Sequence, residues 1–210
     1  MKHLHRFLAI IALILPCAAQ ANDAALYDPA PPADAAFVRV INASGEAKVN
    51  ANLSGISFSN VAYPEVSGYY VVKQGESEFQ AGEKHEKVTI APAKYYTIAV
   101  LPENKIKVFE DDLVKNPTKA RVYFYNLSNA ASASLYAPEH KADIISDVKP
   151  GESKSREVNA LTLQLTIKAD GKDAKALDKV ILKRRAGYTA VVAGKKEDPK
   201  AFAVENSVQR

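Results

Sequence analysis

The chain has 210 residues, with 28 Lys and Arg against 24 Asp and Glu and a single cysteine. A net charge of only +4 gives no general attraction to polyanions, so we expect no nucleic-acid partner. One cysteine, Cys17, cannot form an intramolecular disulfide, so hydrophobic cores must hold the fold together.

The first 21 residues have the pattern of a secretory signal peptide. A basic start precedes the apolar run 7–15, and Ala19-Gln20-Ala21 supplies a small-x-small cleavage site. The apolar run is too short for a permanent membrane anchor, which needs ~20 residues. Pro16 before Cys17 is a poor match to lipoprotein processing. We therefore expect cleavage after Ala21 and a periplasmic location.

Residues 22–36 form a Pro/Ala-rich lead before the first strand signal. Proline fixes φ and lacks an N–H, so the lead favours extended, polyproline-like backbone. We interpret the lead as a tether to a partner or to the first domain. Its candidate contact residues are Leu26, Tyr27, Asp28 and Pro29.

Residues 37–110 and 121–205 are two diverged copies of one β-rich unit, with a linker at 111–120 and a tail at 206–210. The openings of the copies share Asn42 with Asn126 and Ser44 with Ser128, at an offset of 84. Each copy is long enough for one small sandwich. The predicted fold class is therefore all-β, with two tandem antiparallel β-sandwich domains.

Alternating and β-branched segments predict strands in both copies, whereas helical periodicity is scarce. Residues 161–168 alternate strictly, so we expect one strand with its aliphatic residues on one face. Residues 172–180 could form a helical turn or two. The other strand candidates are 37–42, 69–72, 87–90, 95–101, 106–109, 188–193 and 202–204.

Residues that could carry chemistry are few and scattered. His85 and His140 each lie in a loop-like stretch without a second histidine at metal-ligand spacing. No Gly-x-Ser-x-Gly or Gly-Asp-Ser pattern nominates a nucleophile. The adjacent acids Asp111 and Asp112 lie in the linker, and we interpret them as solvated. We therefore expect no catalytic residue, no metal and no cofactor.

Two features could bind a ligand. Lys183, Arg184 and Arg185 form the densest basic cluster, which could contact a uronate polymer or an acidic partner. A solvated turn is the commoner outcome for such a cluster. The tyrosine pairs 69–70 and 95–96 lie in predicted strands, where one ring of each pair faces out. An outward ring could stack on a sugar, but core packing is the commoner role.

Four short motifs spread along the chain carry a family resemblance. They are Leu-Tyr-Asp-Pro at 26–29, Phe-Val-Arg-Val-Ile-Asn at 37–42, Phe-Tyr-Asn-Leu-Ser at 124–128 and Arg-Glu-Val-Asn at 156–159. With these motifs the chain resembles the AlgF family, the periplasmic accessory proteins of alginate O-acetylation. The first copy also resembles exported β-sandwich domains of unknown function.

The resemblance implies a non-catalytic adaptor that is required for O-acetylation of alginate or a similar exopolysaccharide. Its implied partners are a membrane O-acyltransferase and periplasmic SGNH-like acetyltransferase components. An alternative is a polysaccharide-binding module that presents a polyuronate polymer for acetylation. A third hypothesis is a cryptic acetyltransferase, for which His85 and His140 are the candidates for the base.

Overall fold

A computed structural model describes Pro32 and residues 34–209 of the chain. The predicted signal peptide and the candidate contacts Leu26, Tyr27, Asp28 and Pro29 lie outside the described residues. The described residues belong to one structural unit that is built almost wholly of β-strands. In this part of the chain, none of the helical turns has the length and hydrophobicity needed to cross a membrane.

The N-terminal sandwich contains two sheets from the first sequence copy. Its strands are β1 (Ala36–Asn42), β2 (Lys48–Leu53), β3 (Ile56–Ala62), β4 (Glu65–Val66), β5 (Tyr69–Val72), β6 (Gly75–Ala81), β7 (Lys84–Ile90), β8 (Tyr95–Val100) and β9 (Ile106–Asp111). One sheet, which we call the N-sheet, has the order β5-β1-β8-β9, with β4 also paired to β1. The other has the order β3-β2-β6-β7. A 3-10 turn, Pro102–Asn104, joins β8 to β9.

The C-terminal sandwich repeats this plan. Its strands are β10 (Lys119–Ser128), β11 (Ala133–Ala137), β12 (Ala142–Val148), β13 (Glu152–Asn159), β14 (Thr162–Leu163), β15 (Thr166–Ala169), β16 (Lys172–Ala176), β17 (Val180–Ile181), β18 (Gly187–Lys195) and β19 (Asp198–Glu205). One sheet, the C-sheet, has the order β13-β10-β18-β19. The other has the order β12-β11-β15-β16, and β14 pairs with β17. The all-β fold with two tandem sandwiches is thus confirmed.

The central strands of the N-sheet and the C-sheet are buried on both faces. Val38 and Val40 of β1 pack inside the N-terminal sandwich, whereas Ile41 packs in a separate cluster with Tyr125 and Val191 of the C-sheet. This cluster lies between the two sandwiches, so the N-sheet and the C-sheet face each other. The central pairs β1–β8 and β10–β18 are parallel, so the prediction of antiparallel sandwiches was wrong for these two pairs. Their near-continuous apolar runs are typical of strands that are covered on both sides.

The two sequence copies carry the same stabilising hydrogen bonds. Asn42 Nδ2 donates to two main-chain carbonyls at 2.9 and 3.0 Å, and Asn126 Nδ2 does the same at 2.9 and 3.2 Å. The hydroxyls of Tyr96 and Tyr188 each accept a bond from the main-chain N–H five residues earlier, at 3.1 and 3.0 Å. Such tyrosine bonds to upstream backbone are a device of β-sandwich folds. The repeat is therefore present in the structure as well as in the sequence.

Each sandwich ends in a segment that crosses onto the other. The linker arm, residues 112–118, runs along β13, where Glu157 Oε1 accepts two of its main-chain N–H groups at 2.8 and 3.1 Å. The tail arm, residues 206–209, runs along β5, where Tyr69 N donates to the carbonyl of Ser207 at 2.8 Å. The tail arm contains β20 (Val208–Gln209), which pairs in parallel with β5 and extends the N-sheet.

Three local predictions were wrong. Residues 161–168 are not one strand, because β14 pairs with β17 while β15 pairs with β11 and β16, so the segment passes between sheets. Residues 172–180 contain β16 rather than a helical turn. His85 lies on β7 instead of in a loop. Within 161–168, the alternating aliphatic residues Leu163, Leu165 and Ile167 are nevertheless all buried.

Candidate functional site

The basic cluster of Lys183, Arg184 and Arg185 forms an exposed turn between β17 and β18. Lys183 Nζ lies 2.7 Å from Oε2 of Glu205, and this hydrogen bond raises the pKa of Lys183. Neither Arg184 nor Arg185 forms an ion pair with any residue that the structure describes. The cluster therefore offers two unpaired cations to a ligand, and not three.

The main chain of Arg185 is held in place beside a cleft that its side chain helps to line. Its φ of 62° is left-handed, and its N–H donates to the carbonyl of Lys119 on β10 at 2.8 Å. The cleft, of about 340 Å³, lies between the two sandwiches, and we call it the interdomain cleft. Its walls include Tyr69, Tyr95, Leu113, Tyr123, Arg185 and Val208.

The interdomain cleft adjoins a buried polar network centred on Arg39, whose side chain is 1% exposed. Arg39 Nε donates to Thr97 Oγ1 at 2.8 Å, and its Nη1 donates to Asn206 Oδ1 at 2.8 Å. Its Nη2 donates to the hydroxyl of Tyr125 at 3.2 Å. The guanidinium also stacks over the ring of Tyr69, 4.3 Å from its centroid. Arg39 thus joins the N-sheet, the C-sheet and the tail arm.

Asp111 supplies the negative charge of this network, and its predicted solvation was wrong. The residue is 6% exposed. Its Oδ2 accepts bonds from Tyr69 at 2.6 Å and Thr97 at 2.5 Å, its Oδ1 accepts one from Tyr125, and Arg39 Nη2 lies 3.6 Å away. Three hydroxyl donors and a guanidinium make the burial of a carboxylate possible. The neighbouring Asp112 keeps a largely exposed side chain, as predicted.

Neither the tyrosines of the network nor Arg39 has a pKa near neutral pH. Burial raises the pKa of Tyr69 and of Tyr125 far above the usual range, and the nearby Asp111 carboxylate raises both further. Burial also raises the pKa of Tyr123 to about 12. For Arg39, burial opposes the charge, but Tyr125, Tyr69 and Asp111 together raise its pKa. The tyrosines therefore stay neutral donors and Arg39 stays a cation.

The tyrosine pairs divide between core and cleft. Tyr96 is buried in the N-terminal core, and Tyr70 packs edge-on against Phe58 at 4.9 Å. Tyr69 is buried in the polar network. Tyr95, like Tyr70, is partly exposed, and one face of its ring is stacked on Phe37 with centroids 4.3 Å apart. The predicted core role therefore fits three of the four rings.

The two histidines lie far from any catalytic arrangement in the part of the chain that the structure describes. His85 Nδ1 is 3.0 Å from Oε1 of Glu78, and both side chains are at least half exposed. His140 lies in the exposed 3-10 turn Pro138–His140. Neither imidazole is hydrogen-bonded to a described hydroxyl, and no three described acids and histidines form a metal-binding group.

Sequence reasoning missed Arg39, Thr97 and Leu113. Arg39 interrupts the apolar run of β1, and Thr97 interrupts that of β8. A polar residue within such a run is a signal that the second face of the strand is also buried, against polar groups. Leu113 gave no signal, because its place at the cleft depends on how the linker arm crosses to the C-terminal sandwich.

These features define a class of protein: duplicated β-sandwiches locked face to face, with a cleft along their junction. The sequence comparisons then give the family. The model of the family described as "Alginate O-acetyl transferase AlgF" matches residues 10–189. The chain belongs to the AlgF family.

The chain is also similar to individual proteins of this family. The chain is 32% identical over 177 residues to the alginate biosynthesis protein AlgF of Pseudomonas aeruginosa, which covers 84% of this chain and 81% of the relative. It is 29% identical to AlgF of Pseudomonas fluorescens, over 92% of this chain and 89% of the relative. The solved C-terminal domain of AlgF from P. aeruginosa is 27% identical, with a TM-score of 0.39, over 42% of this chain and 99% of that domain. The N-terminal domain is 26% identical, with a TM-score of 0.35, over 40% and 100%.

Proposed function

We propose that the protein is a non-catalytic periplasmic adaptor required for O-acetylation of alginate or a similar exopolysaccharide. The pathway follows from family membership, because the relatives are named alginate biosynthesis proteins and the family description refers to alginate O-acetylation. The adaptor joins a membrane O-acyltransferase to periplasmic SGNH-like acetyltransferase components.

The observation that carries the adaptor role is the way in which the two sandwiches are fixed. A buried ion-paired network and two crossing arms hold the sandwiches at one angle, which presents a preformed cleft to a partner. A preformed surface lowers the entropic cost of binding. Acyl transfer by this chain, in contrast, requires a nucleophile in contact with a base. Within the described residues, neither His85 nor His140 has a hydroxyl partner.

A gene deletion tests the pathway, with acetyl content and polymer yield measured on the same cultures. We expect loss of acetyl groups with near-normal yield. Complementation with the double variant His85→Ala and His140→Ala then separates adaptor from enzyme, and we expect full restoration. Normal acetylation in the deletion strain would overturn the pathway, and failure of the double variant at normal protein level would favour catalysis.

Polysaccharide binding is the second candidate function, because the partly exposed Tyr95 and the unpaired Arg185 share one cleft. It predicts heat on mixing with mannuronate oligomers at low salt, which replacement of Arg185 abolishes. The adaptor proposal predicts no heat in that titration.

The lead and the signal peptide extend the adaptor proposal to the N-terminus. Deletion of residues 26–32 should weaken co-purification of the acetylation components while both sandwiches stay folded. Unchanged co-purification would remove the lead from the proposal. N-terminal sequencing of the protein from a periplasmic extract should begin at Asn22, and a start at Met1 would contradict cleavage.

A further inference from the structure

Exposed large apolar side chains gather at the interdomain cleft. Leu113 is 45% exposed and Val208 is 46% exposed, and both line the cleft. Val204 is 40% exposed and pairs across β18–β19 with Thr189. Thr189 in turn pairs across β10–β18 with the cleft residue Tyr123. The register therefore places Val204 on the same face of the C-sheet. Two of the five exposed large hydrophobic residues in the described chain thus line one cleft, and a third lies on the sheet face that contributes Tyr123 to it. Such clustering marks interaction sites.

Three polar groups of the cleft wall are already occupied by bonds within the protein. The hydroxyl of Tyr69 donates to Asp111, and that of Tyr123 donates to the carbonyl of Asp112. The side-chain oxygen of Asn206 accepts bonds from two other residues, at 2.8 and 2.7 Å. These groups are not free to bond a ligand. The charge that the wall leaves unpaired among the described residues is the Arg185 guanidinium.

This distribution favours a peptide over a sugar as the occupant. A sugar ring needs several free hydrogen-bonding groups together with an open aromatic face. The Tyr95 ring is covered on one side by Phe37, and Leu113 and Val208 add exposed aliphatic surface to the cleft. An apolar side chain would cover Leu113 and Val208, and a neighbouring carboxylate would pair with Arg185 in the bidentate geometry that arginine favours.

We propose that the interdomain cleft binds an extended segment of a protein partner in which an aliphatic or aromatic residue adjoins an Asp or Glu. This site rests on the proposed adaptor function and names the surface through which the adaptor acts. Apolar contact at Leu113 and Val208 supplies affinity, and the pairing with Arg185 supplies orientation. The partner is a component of the acetylation machinery.

Four surface variants of the full chain test the site. Leu113→Asp and Arg185→Glu alter the cleft, whereas Ile181→Asp and Arg184→Glu make the same chemical changes at exposed positions outside the cleft wall. The probes are the purified SGNH-like component and the detergent-solubilised O-acyltransferase, and the readout is the Kd from interferometry. We expect each cleft variant to weaken binding at least about tenfold, and each control to stay within about twofold of the wild type.

The outcomes separate the site from the function. Wild-type affinity in all four variants would overturn the cleft as the docking site and leave the adaptor proposal standing. Failure of the wild-type chain to bind either component would overturn both. Calorimetric binding of mannuronate oligomers that Arg185→Glu abolishes would overturn the peptide occupant in favour of a sugar. Selective loss in Leu113→Asp and Arg185→Glu, without oligomer binding, supports the proposal.

Discussion

Arg39 shows how one residue can set the energetics of the whole junction between the sandwiches. A guanidinium is costly to bury unless its donors are used and its charge is compensated. Here the guanidinium donates hydrogen bonds to Thr97, Asn206 and Tyr125, and Asp111 compensates its charge. The two ionised groups therefore depend on each other.

Replacing Arg39 with Met should lower the free energy of unfolding by roughly 3–5 kcal/mol, because Asp111 would stay buried without a cation. Urea unfolding followed by circular dichroism measures this change. The double variant Arg39→Met and Asp111→Leu should recover much of the loss, since neither charge remains. Lys94→Met, which breaks an exposed ion pair with Glu110, serves as the control and should change little. An Arg39→Met protein as stable as the wild type would contradict this account.

The repeated asparagines make a second prediction at this scale. Asn126→Ala leaves two buried carbonyls without their side-chain donor, which should cost roughly 1–3 kcal/mol of unfolding free energy. Asn42→Ala should cost a similar amount, because its bonds are the same. Asn159→Ala, at an exposed strand end, is the control. A large loss in one copy and none in the other would show that the repeat does not share its energetics.

At the scale of elements, the linker arm is held to β13 by hydrogen bonds to the carboxylate of Glu157, whose charge depends on pH. The main-chain N–H groups of Asn116 and Lys115 lower the pKa of Glu157 below its usual value of 4.5, with a further contribution from Arg121. Because the pKa is lowered in the folded protein, the stabilisation is complete above about pH 4.5. It is lost as the pH falls through the folded-state value.

The variant Glu157→Gln should therefore be less stable than the wild type at pH 7, and the difference should shrink as the pH falls below about 4.5. Urea unfolding at a series of pH values measures this difference. Glu152→Gln, on the same strand but without a bond to the linker arm, should show no such convergence. A difference that is constant with pH would mean that the Glu157 charge does not fasten the arm.

The tail arm fits its place because Gly187 leaves room for it. The first copy has Tyr95 at the equivalent position, whereas a Cβ on Gly187 would lie 2.6 Å from Nδ2 of Asn206. The tail arm brings Asn206 to Arg39 and adds β20 to β5. It therefore belongs to the junction, although its sequence is short and polar.

The sequence predicted the elements far better than their assembly. The duplicated openings and the closing tyrosines were visible because the same residues make the same bonds in both copies. The role of Arg39 was missed although it interrupts the apolar run of β1, because an arginine is also ordinary on a strand face that a lone sandwich would leave in water. Of the candidate site, the basic cluster with Arg185 was visible, whereas Leu113 reaches the cleft only through contacts between distant residues.

At the scale of the whole molecule, the junction should make the two sandwiches unfold together. Calorimetry of the full chain should show one transition, because the buried network and both arms couple the sandwiches. Deletion of residues 206–210 removes the Asn206 acceptor and β20, so it should resolve two transitions. Deletion of Arg210 alone is the control and should keep one. Two transitions in the full chain would contradict the coupling.

The pairing of the sandwiches has the form of an isologous dimer interface. Arg39 and Tyr123 occupy equivalent positions, at the offset of 84, and the guanidinium lies 5.7 Å from the Tyr123 ring centroid. In a symmetric dimer of either copy, the same side chain would meet itself there, and two arginines would repel each other. Joining both halves in one chain removes that restriction. A substitution on one side is no longer imposed on the other, so a buried cation can face an aromatic ring.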